Sequence, residues 1–573
     1  MGVSGRIVRV NGPLVEIEGL DRVEMLELIA IGERRLPAEV VSIDGGLVTA
    51  QAYESMGGVR TGDPAGALGY ALSAWLGPDL LGGTFDGLLR PLAGRSDWLA
   101  PGALGEPSDA RAWPFEPVAK VGERVSSGAL LGRIATAGPI EHRVLVPPGV
   151  SGRIESIAAS GNVTGERPVA IIDGRPVGVR ERWPIRTPRP IGRRLANDAP
   201  LLTGQRVLDL FFPIAKGATA AVPGGFGTGK TMLLQQIVKW CDADVIVFVG
   251  CGERGNELAD AMADLRELGD RTIGHSLLER TVVIANTSNM PVMAREASIY
   301  TGMTVAEFYR DMGYDTVLLA DSTSRWAEAL REFSSRSGEL PAEEGYPAGL
   351  SSALAAFYER AGRVTTLGGR TGSVSAIGAV SPPGGDMTEP VTAHTERFVR
   401  SLWSLDRALA YARHYPAVTW RRSFSRDVEA VAAWHDSAGR PNWSRARGRA
   451  VTVLAEADRL ESVVELVGLT GLPGNERMVI LAGRLLREAV LQQNALSPND
   501  ATCGPDKQSA LLDLVLAVYE SCLILIERGV PSAVIEEFDL SRIARLRDEL
   551  RPDDAAGVAA AQCEILAQVE RLA

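Results

Sequence analysis

At 573 residues, with 45% hydrophobic and 23% charged, the chain is long enough for roughly three or four domains, each burying its own core. Lys and Arg number 60 against 71 Asp and Glu, a net charge of −11, which excludes a general nucleic-acid binder, whose surface must be cationic toward phosphate. Cys241, Cys251, Cys503, Cys522 and Cys563 show no CxxC spacing, and His142, His275, His394, His414 and His435 are scattered, which excludes a disulfide framework and argues against a zinc site.

In chain order, residues 1–70 read as a small β-barrel. The runs 6–10, 14–17, 39–43 and 47–51 alternate apolar and polar residues, with Asn11-Gly12 and Asp44-Gly45-Gly46 as turns between them. Met1 to Pro13 carries no apolar run of the kind a secretory signal needs, so none is expected. A connector covers 71–97. From Trp98 the texture stays β-like but rich in proline, with Pro147-Pro148-Gly149 and Ser151-Gly152 in its middle. This second β module, 98–190, closes on the basic connector Trp183 to Pro190.

Residues 191–440 alternate strand-length apolar runs with helical patterns. The runs 245–250, 281–285 and 316–320 are near-continuous apolar, as expected of a parallel sheet covered on both faces. After Pro441, amphipathic patterns at 445–467, 475–493, 507–528, 531–550 and 554–572 predict a C-terminal helical domain, 441–573. The most apolar stretch, 511–526, carries Asp513 and Glu520 and reads as too short to span a bilayer. The expectation is a cytosolic chain, or one held at a membrane by partners.

The strongest chemical signal is Gly224-Gly225-Phe226-Gly227-Thr228-Gly229-Lys230-Thr231, a GxxxxGK[ST] match. An apolar, strand-like run (218–222) precedes it and a helical pattern (232–240) follows. Glycines let such a loop turn its N–H groups inward around phosphate, and the helix N-terminus adds positive potential. Lys230 is then placed for the β and γ oxygens and Thr231 for magnesium. A glycine-rich turn with a surface lysine is the alternative, and the strand-before, helix-after context speaks against it. The motif predicts a nucleoside-triphosphate site.

Asp321 ends the run 316–320, at the strand edge where α/β proteins bind ligands, and fits a magnesium-holding carboxylate. A helix N-cap ahead of Ser322 and Thr323 is the other reading. Glu253, just past the run 245–250, fits a group that polarises the attacking water, and Arg254 one that holds the transferring phosphoryl group. An exposed Glu-Arg pair at a helix start fits that spacing equally well.

At these residues the chain resembles the catalytic A subunit of the V/A-type rotary ATPases. The likeness runs nearly end to end. It is carried by Gly5 to Pro13, Phe85 to Leu92, Val146 to Gly152 and Pro200 to Asp209, the last leading into the phosphate loop. Cys251 to Glu257, Asn286 to Pro291, Ala320 to Glu332, Glu344 to Pro347 and Val380 to Asp386 continue it. The resemblance implies a multidomain fold: an N-terminal β-barrel, an inserted β-rich lobe, a central RecA-like P-loop α/β domain and a C-terminal α-helical bundle. It implies ATP hydrolysis or synthesis with Mg2+ and ATP/ADP, coupled through a central rotor to proton or sodium translocation. It also implies an alternating hexamer of three A and three B subunits, with central-stalk and peripheral-stalk partners and no nucleic acid. Such a chain sits peripherally, on the cytoplasmic face of a membrane, below the ion-translocating sector.

By the same resemblance Lys230, Thr231, Glu253, Arg254 and Asp321 keep the roles above, and Arg295 is a further candidate for γ-phosphate contact. An aromatic ring against adenine falls at Tyr415, for which a core tyrosine before a proline turn is the alternative. Intact Lys230, Glu253 and Asp321 count against an inactive, B-like subunit. Net charge, the inserted lobe and the long helical C-terminus count against a RecA-like helicase or export ATPase. The chain departs from the family at Gly225, usually proline, which predicts a looser loop, and at Thr228, a cysteine in eukaryotic relatives. Gly349 and Ala353 replace an aromatic and an arginine at a subunit contact. Leu496 replaces a second aromatic of the adenine pocket, which predicts weaker nucleotide affinity. The C-terminal helices are expected to serve coupling alone, so a chain cut near Pro441 should still bind nucleotide.

Overall fold

Six short antiparallel strands close on themselves at the N-terminus: Ser4–Asn11, Leu14–Glu18, Glu27–Ile31, Leu36–Asp44, Leu47–Ala52 and Pro64–Ala71. Their inward residues, among them Ile7, Val15, Ile17, Ile31, Val40 and Val48, form one buried cluster, which is what the alternating pattern demands. Two of the six strands lack that pattern. Glu27–Ile31 is buried at every residue, and five of the eight residues of Pro64–Ala71 are alanine or glycine. The computed structural model describes residues 4–92, 102, 111–136, 138–267 and 276–572. The expected start of the second β module at Trp98, the connector beyond Leu92 and His275 lie outside the described residues.

The second β module is a pair of four-stranded antiparallel sheets. Ala112–Pro117, Leu130–Ile134, His142–Leu145 and Gly161–Thr164 make one, and Arg124–Val125, Gly152–Ile157, Ala170–Ile172 and Arg175–Val177 the other. Phe115, Leu131, Ile134, Ile154 and Ile172 are buried in a core common to both. Gly132 needs to be glycine here, because a Cβ would stand 2.3 Å from the Phe115 ring.

The backbone groups into two compact units. One holds residues 1–196, 243–379 and 393–395; the other holds 197–242, 380–392 and 396–573. In the first unit, beyond the barrel and lobe, Thr371–Val380, Asp315–Asp321, Val245–Cys251, Thr281–Asn286 and Thr84–Phe85 lie side by side as a parallel sheet. The three strands expected from apolar runs are there. The long strand Thr371–Val380 was hidden in the sequence by its glycine, serine and alanine content, although all but its first residue are buried. The helix Val292–Asp311 packs along Val245–Cys251 and Asp315–Asp321, and almost every residue in it is buried.

In the second unit the strand Thr219–Pro223 pairs in parallel with Ser401–Leu402 and leads into the helix Lys230–Trp240. The C-terminal helices run Trp443–Val467, Gly474–Leu485 with a wider turn Leu486–Leu491, Pro505–Glu527, Ser532–Glu537, Ser541–Glu549 and Ala555–Val569. The pattern expected as one helix over 531–550 is two, Ser532–Glu537 and Ser541–Glu549, and in the break between them Asp539 Oδ1 accepts from the Ser541 amide at 2.9 Å. The apolar stretch read as too short to span a bilayer is also corrected. The helix Pro505–Glu527 extends past both ends of it and is long and apolar enough by length and composition. Its Leu511, Leu514, Val515 and Val518 are buried, and it packs on Gly474–Leu485 and Ala555–Val569, as a core helix does.

Candidate nucleotide-binding and catalytic residues

The phosphate loop takes its form from three glycines with different duties. Gly227 and Gly229 have φ of +78° and +89°, a region that costs an L-residue about 1–2 kcal/mol. Gly224 is buried, and a Cβ there would meet Thr228 Oγ1 at 2.7 Å and Leu405 Cβ at 2.8 Å. Gly225, where the family usually has proline, is under neither constraint: a Cβ would meet nothing nearer than 3.7 Å. Thr228 is buried and donates its hydroxyl to the Gly225 carbonyl at 2.8 Å, tying the loop across its own mouth. The Lys230 ammonium donates to the carbonyls of Gly224 at 2.6 Å and Gly225 at 3.0 Å, so the cation lies under the loop. Lys230 and Thr231 are the first residues of the helix Lys230–Trp240, the end at which a helix dipole favours an anion.

Beside the loop is a cavity of about 610 Å³ whose lining is mostly apolar. Gly227, Gly229, Met232, Leu233, Leu405, Tyr415, Pro416 and Leu496 line it, together with Arg413, Gln492, Gln493 and Arg547. The Tyr415 ring is 45% exposed and comes within 3.6 Å of where a Gly229 Cβ would stand, so it is no core tyrosine. Leu496, at the edge of the cavity, is 92% exposed. His414 is held down to about 4 by burial and then by the Arg487 and Arg547 guanidiniums, so it is neutral at pH 7 beside Tyr415. The polar run Gln492-Gln493-Asn494 and Arg547 were missed in the sequence. The signals were a break between two helical patterns and the resemblance that puts Leu496, the end of the same segment, in the adenine pocket. Because Gln492 to Leu496 and Arg547 line the cavity, a cut near Pro441 would remove one of its walls.

In the first unit a second set of groups gathers at the carboxyl ends of the parallel strands. Gly250 is the register partner of Asp321, and Cys251 that of Asn286. Asp321 is therefore level with the turn that carries Glu253. That turn depends on Gly252, whose φ is +75° and whose Cβ would meet Arg325 Cβ at 2.9 Å and Arg295 Cδ at 3.2 Å. The Glu253 carbonyl accepts from the Ser288 amide at 3.0 Å, which joins this turn to the one after Asn286. Arg295 donates Nη2 to the Ser288 carbonyl at 3.0 Å, while its buried Nε has no hydrogen-bond partner among the described residues. Arg325 pairs with both Glu328 oxygens, at 3.0 and 2.9 Å. The Arg254 side chain is 72% exposed and lies 3.9 Å from the Glu257 carboxylate. Asp321 is buried and is not the N-cap of the helix Thr323–Ser337, a place taken by Ser322.

The sequence matches four family descriptions in chain order. They are the ATP synthase alpha/beta family beta-barrel domain over 7–69 and the ATPsynthase alpha/beta subunit barrel-sandwich domain over 107–186. The ATP synthase alpha/beta family nucleotide-binding domain follows over 204–425, then the C-terminal domain of V and A type ATP synthase over 432–535. Among curated proteins the chain is 49% identical over 555 residues to the V-type ATP synthase alpha chain of Nitrosococcus oceani, covering 95% of this chain and 93% of that one. It is 47% identical to the A subunit of the A-type ATP synthase of Methanopyrus kandleri, covering 95% and 94%. It is 48% identical to the V-type ATP synthase alpha chain of an Anaeromyxobacter species, covering 99% and 100%. Among solved structures, the assembled ATPase EscN of the enteropathogenic E. coli type III secretion system is alike in fold, with a TM-score of 0.64 at 23% identity. The match covers 89% of this chain and 99% of that one.

Proposed function

The chain belongs to the family of V- and A-type ATP synthase A (alpha) subunits, and we propose that its ATP chemistry runs on Lys230, Thr231, Glu253, Arg254 and Asp321. It is the catalytic subunit of a rotary ATPase, an ATP hydrolase and synthase within a membrane-associated complex. The observation that carries the reading of the site is the Lys230 ammonium held under a loop of left-handed glycines, at a helix N-terminus, beside an apolar cavity with an exposed tyrosine.

In this reading the Gly224–Thr231 loop cradles the β and γ phosphates with its N–H groups, and Lys230 neutralises their charge. The base lies in the cavity against Tyr415, whose flat apolar face accepts any orientation of a purine plane. Glu253 orients and polarises the attacking water, Arg254 and Arg295 contact the transferring phosphoryl group, and Asp321 serves the metal. Taken one by one, the Thr231 hydroxyl in the second unit and the Asp321 carboxylate in the first are each a hard oxygen donor of the kind magnesium takes, and that ion would offset charge on the phosphate oxygens.

The domain division that accompanies this reading is a barrel at 1–70, a connector at 71–97, an inserted lobe at 98–190, a nucleotide-binding domain at 191–440 and a helical domain at 441–573. The partners are B subunits in a ring of three A and three B, with central-stalk and peripheral-stalk subunits, on the cytoplasmic face of the membrane. Through the rotor, turnover drives or is driven by proton or sodium movement.

A ring with B subunits predicts an arginine supplied in trans, a group worth about 10³–10⁵ in rate. Steady-state hydrolysis by the purified chain, alone and mixed with a B-type subunit, tests this. Turnover should rise by orders of magnitude on mixing, with little change in ATP affinity, and Lys230→Ala should lose both binding and turnover. Full-rate hydrolysis by the dilute monomer would overturn the trans arginine. Unchanged ATP affinity in Lys230→Ala would overturn the phosphate-loop assignment.

A further inference from the structure

The wall of the cavity formed by Gln492 to Leu496 has no regular structure of its own, and Leu496 at its end is 92% exposed. It is held from outside by charged groups. Arg206, which solvent does not reach, donates Nη2 to the Gln492 carbonyl at 2.6 Å and Nε to the Val490 carbonyl at 3.0 Å. Its own amide donates to Gln493 Oε1 at 2.8 Å. Asp500 takes Arg206 Nη1 on one oxygen and the Asn494 amide, at 2.7 Å, on the other. Gln493 completes the frame by donating its amide to the Tyr415 carbonyl at 2.8 Å.

The second cation comes from elsewhere. Arg547, on the helix Ser541–Glu549, donates Nη1 to the Gln492 carbonyl at 3.1 Å and to the Glu488 carbonyl at 2.6 Å, with Nε 3.7 Å from Asp500. The Gln492 carbonyl therefore accepts from two guanidiniums. One is fixed in the buried frame and the other rides on a C-terminal helix. That helix is itself tied down by Lys507, whose ammonium donates to the carbonyls of Arg547 at 2.9 Å and Leu550 at 2.7 Å. Arg547 also lines the cavity. A carbonyl oxygen responds to the direction of its donors, so a shift of Ser541–Glu549 moves the peptide that starts the wall.

We propose that Arg547 is a positioning residue for nucleotide binding, which sets the Gln492–Leu496 wall of the base cavity from the C-terminal helix Ser541–Glu549. Displacement of the C-terminal helices then changes affinity for the base end of the nucleotide without touching the phosphate loop. This rests on the cavity being the base pocket. The device differs from the expected division of labour, in which those helices have no part in binding.

The test compares two ligands on the full-length chain by calorimetry: ATP, which has a base, and inorganic tripolyphosphate, which has none. Arg547→Ala should weaken ATP about tenfold, the contribution of a charge-assisted hydrogen bond, and leave tripolyphosphate within about twofold. Arg547→Lys, which keeps a charged donor, should recover most of the loss. Arg547→Gln, which keeps donors without the charge, gives the same contrast at smaller amplitude should the Ala variant not stay folded. Unchanged ATP affinity in these variants overturns the proposal. So does an equal loss for both ligands, which a long-range charge effect or a damaged loop would give. A parent chain that binds tripolyphosphate as tightly as ATP overturns the base-pocket reading itself, and one that binds neither overturns the phosphate-loop reading.

Discussion

Arg206 and Asp500, 294 positions apart in sequence, form an ion pair from which solvent is excluded on both sides. Burial opposes the charge on Arg206, and the Asp500 carboxylate more than offsets it, so the guanidinium is held even more firmly protonated than usual. Breaking such a pair leaves one buried charge without compensation, which costs about 3–5 kcal/mol. Asp500→Asn is therefore expected to lower the unfolding free energy, read from denaturant titration, by that order. It should also weaken ATP more than tripolyphosphate, since the Asn494 amide loses its carboxylate acceptor. A loss of unfolding free energy under about 1 kcal/mol would mean that water enters and rescues Arg206.

Gly225 and Gly229 stand four residues apart and should respond to the same substitution with opposite sign. At Gly225 the backbone is outside the left-handed region and a Cβ has room. Gly225→Ala should raise stability by about 0.4–1 kcal/mol by restricting the unfolded chain. At Gly229, with φ of +89°, alanine should cost about 1–2 kcal/mol and bring a methyl against Tyr415. Thermal midpoints of the two variants check this. Equal destabilisation would show that the loop needs glycine at 225 for a conformation other than this one.

Much of this arrangement was legible in the sequence where one residue pattern carries the information. The phosphate loop is local, and the strands ending at Gly250 and Asp321 are continuous apolar runs, so both the fold class and the strand-edge carboxylates could be located. Glu27–Ile31 and Thr371–Val380 were not, because complete burial erases alternation and small residues mimic a loop. The wall of the cavity was also hidden. Its geometry depends on Arg206, Asp500 and Arg547, three charged residues in distant segments, and nothing in local composition marks a charge that will be buried and paired.

Histidine burial predicts acid sensitivity. Burial holds His142 down to about 3, and His414 and His435 down to about 4, each below an ordinary 6.5. The unfolded chain then binds more protons than the folded one, so this stability is present above about pH 6.5 and is lost as pH falls toward 4. Each histidine contributes a slope of up to about 1.4 kcal/mol per pH unit. Asp209, pushed up to about 6 by burial, works in the opposite sense, so the clean measurement is a difference. Removing the titrating group with His142→Leu should flatten the fall in thermal midpoint between pH 6.5 and 4. Parallel curves for parent and variant would show that His142 is protonated in the fold.

Glu253→Gln is the variant that separates chemistry from binding. Gly252 turns the chain sharply after the strand Val245–Cys251, and the Ser288 amide pins the Glu253 carbonyl, so the side chain starts from a fixed backbone at the strand edge. Gln keeps the size and one acceptor of the carboxylate and loses its basicity and charge. If Glu253 orients and polarises the attacking water, hydrolysis in the presence of a B-type subunit should fall about 10²–10⁴-fold. ATP affinity should stay within about twofold, because ground-state phosphate contacts belong to the Lys230 loop. The substitution leaves the backbone anchors of the turn in place, so a fall in both quantities would point to a different role, such as a metal contact. Turnover at half the parental rate would remove Glu253 from the mechanism and leave Asp321 as the one acidic group argued from this edge.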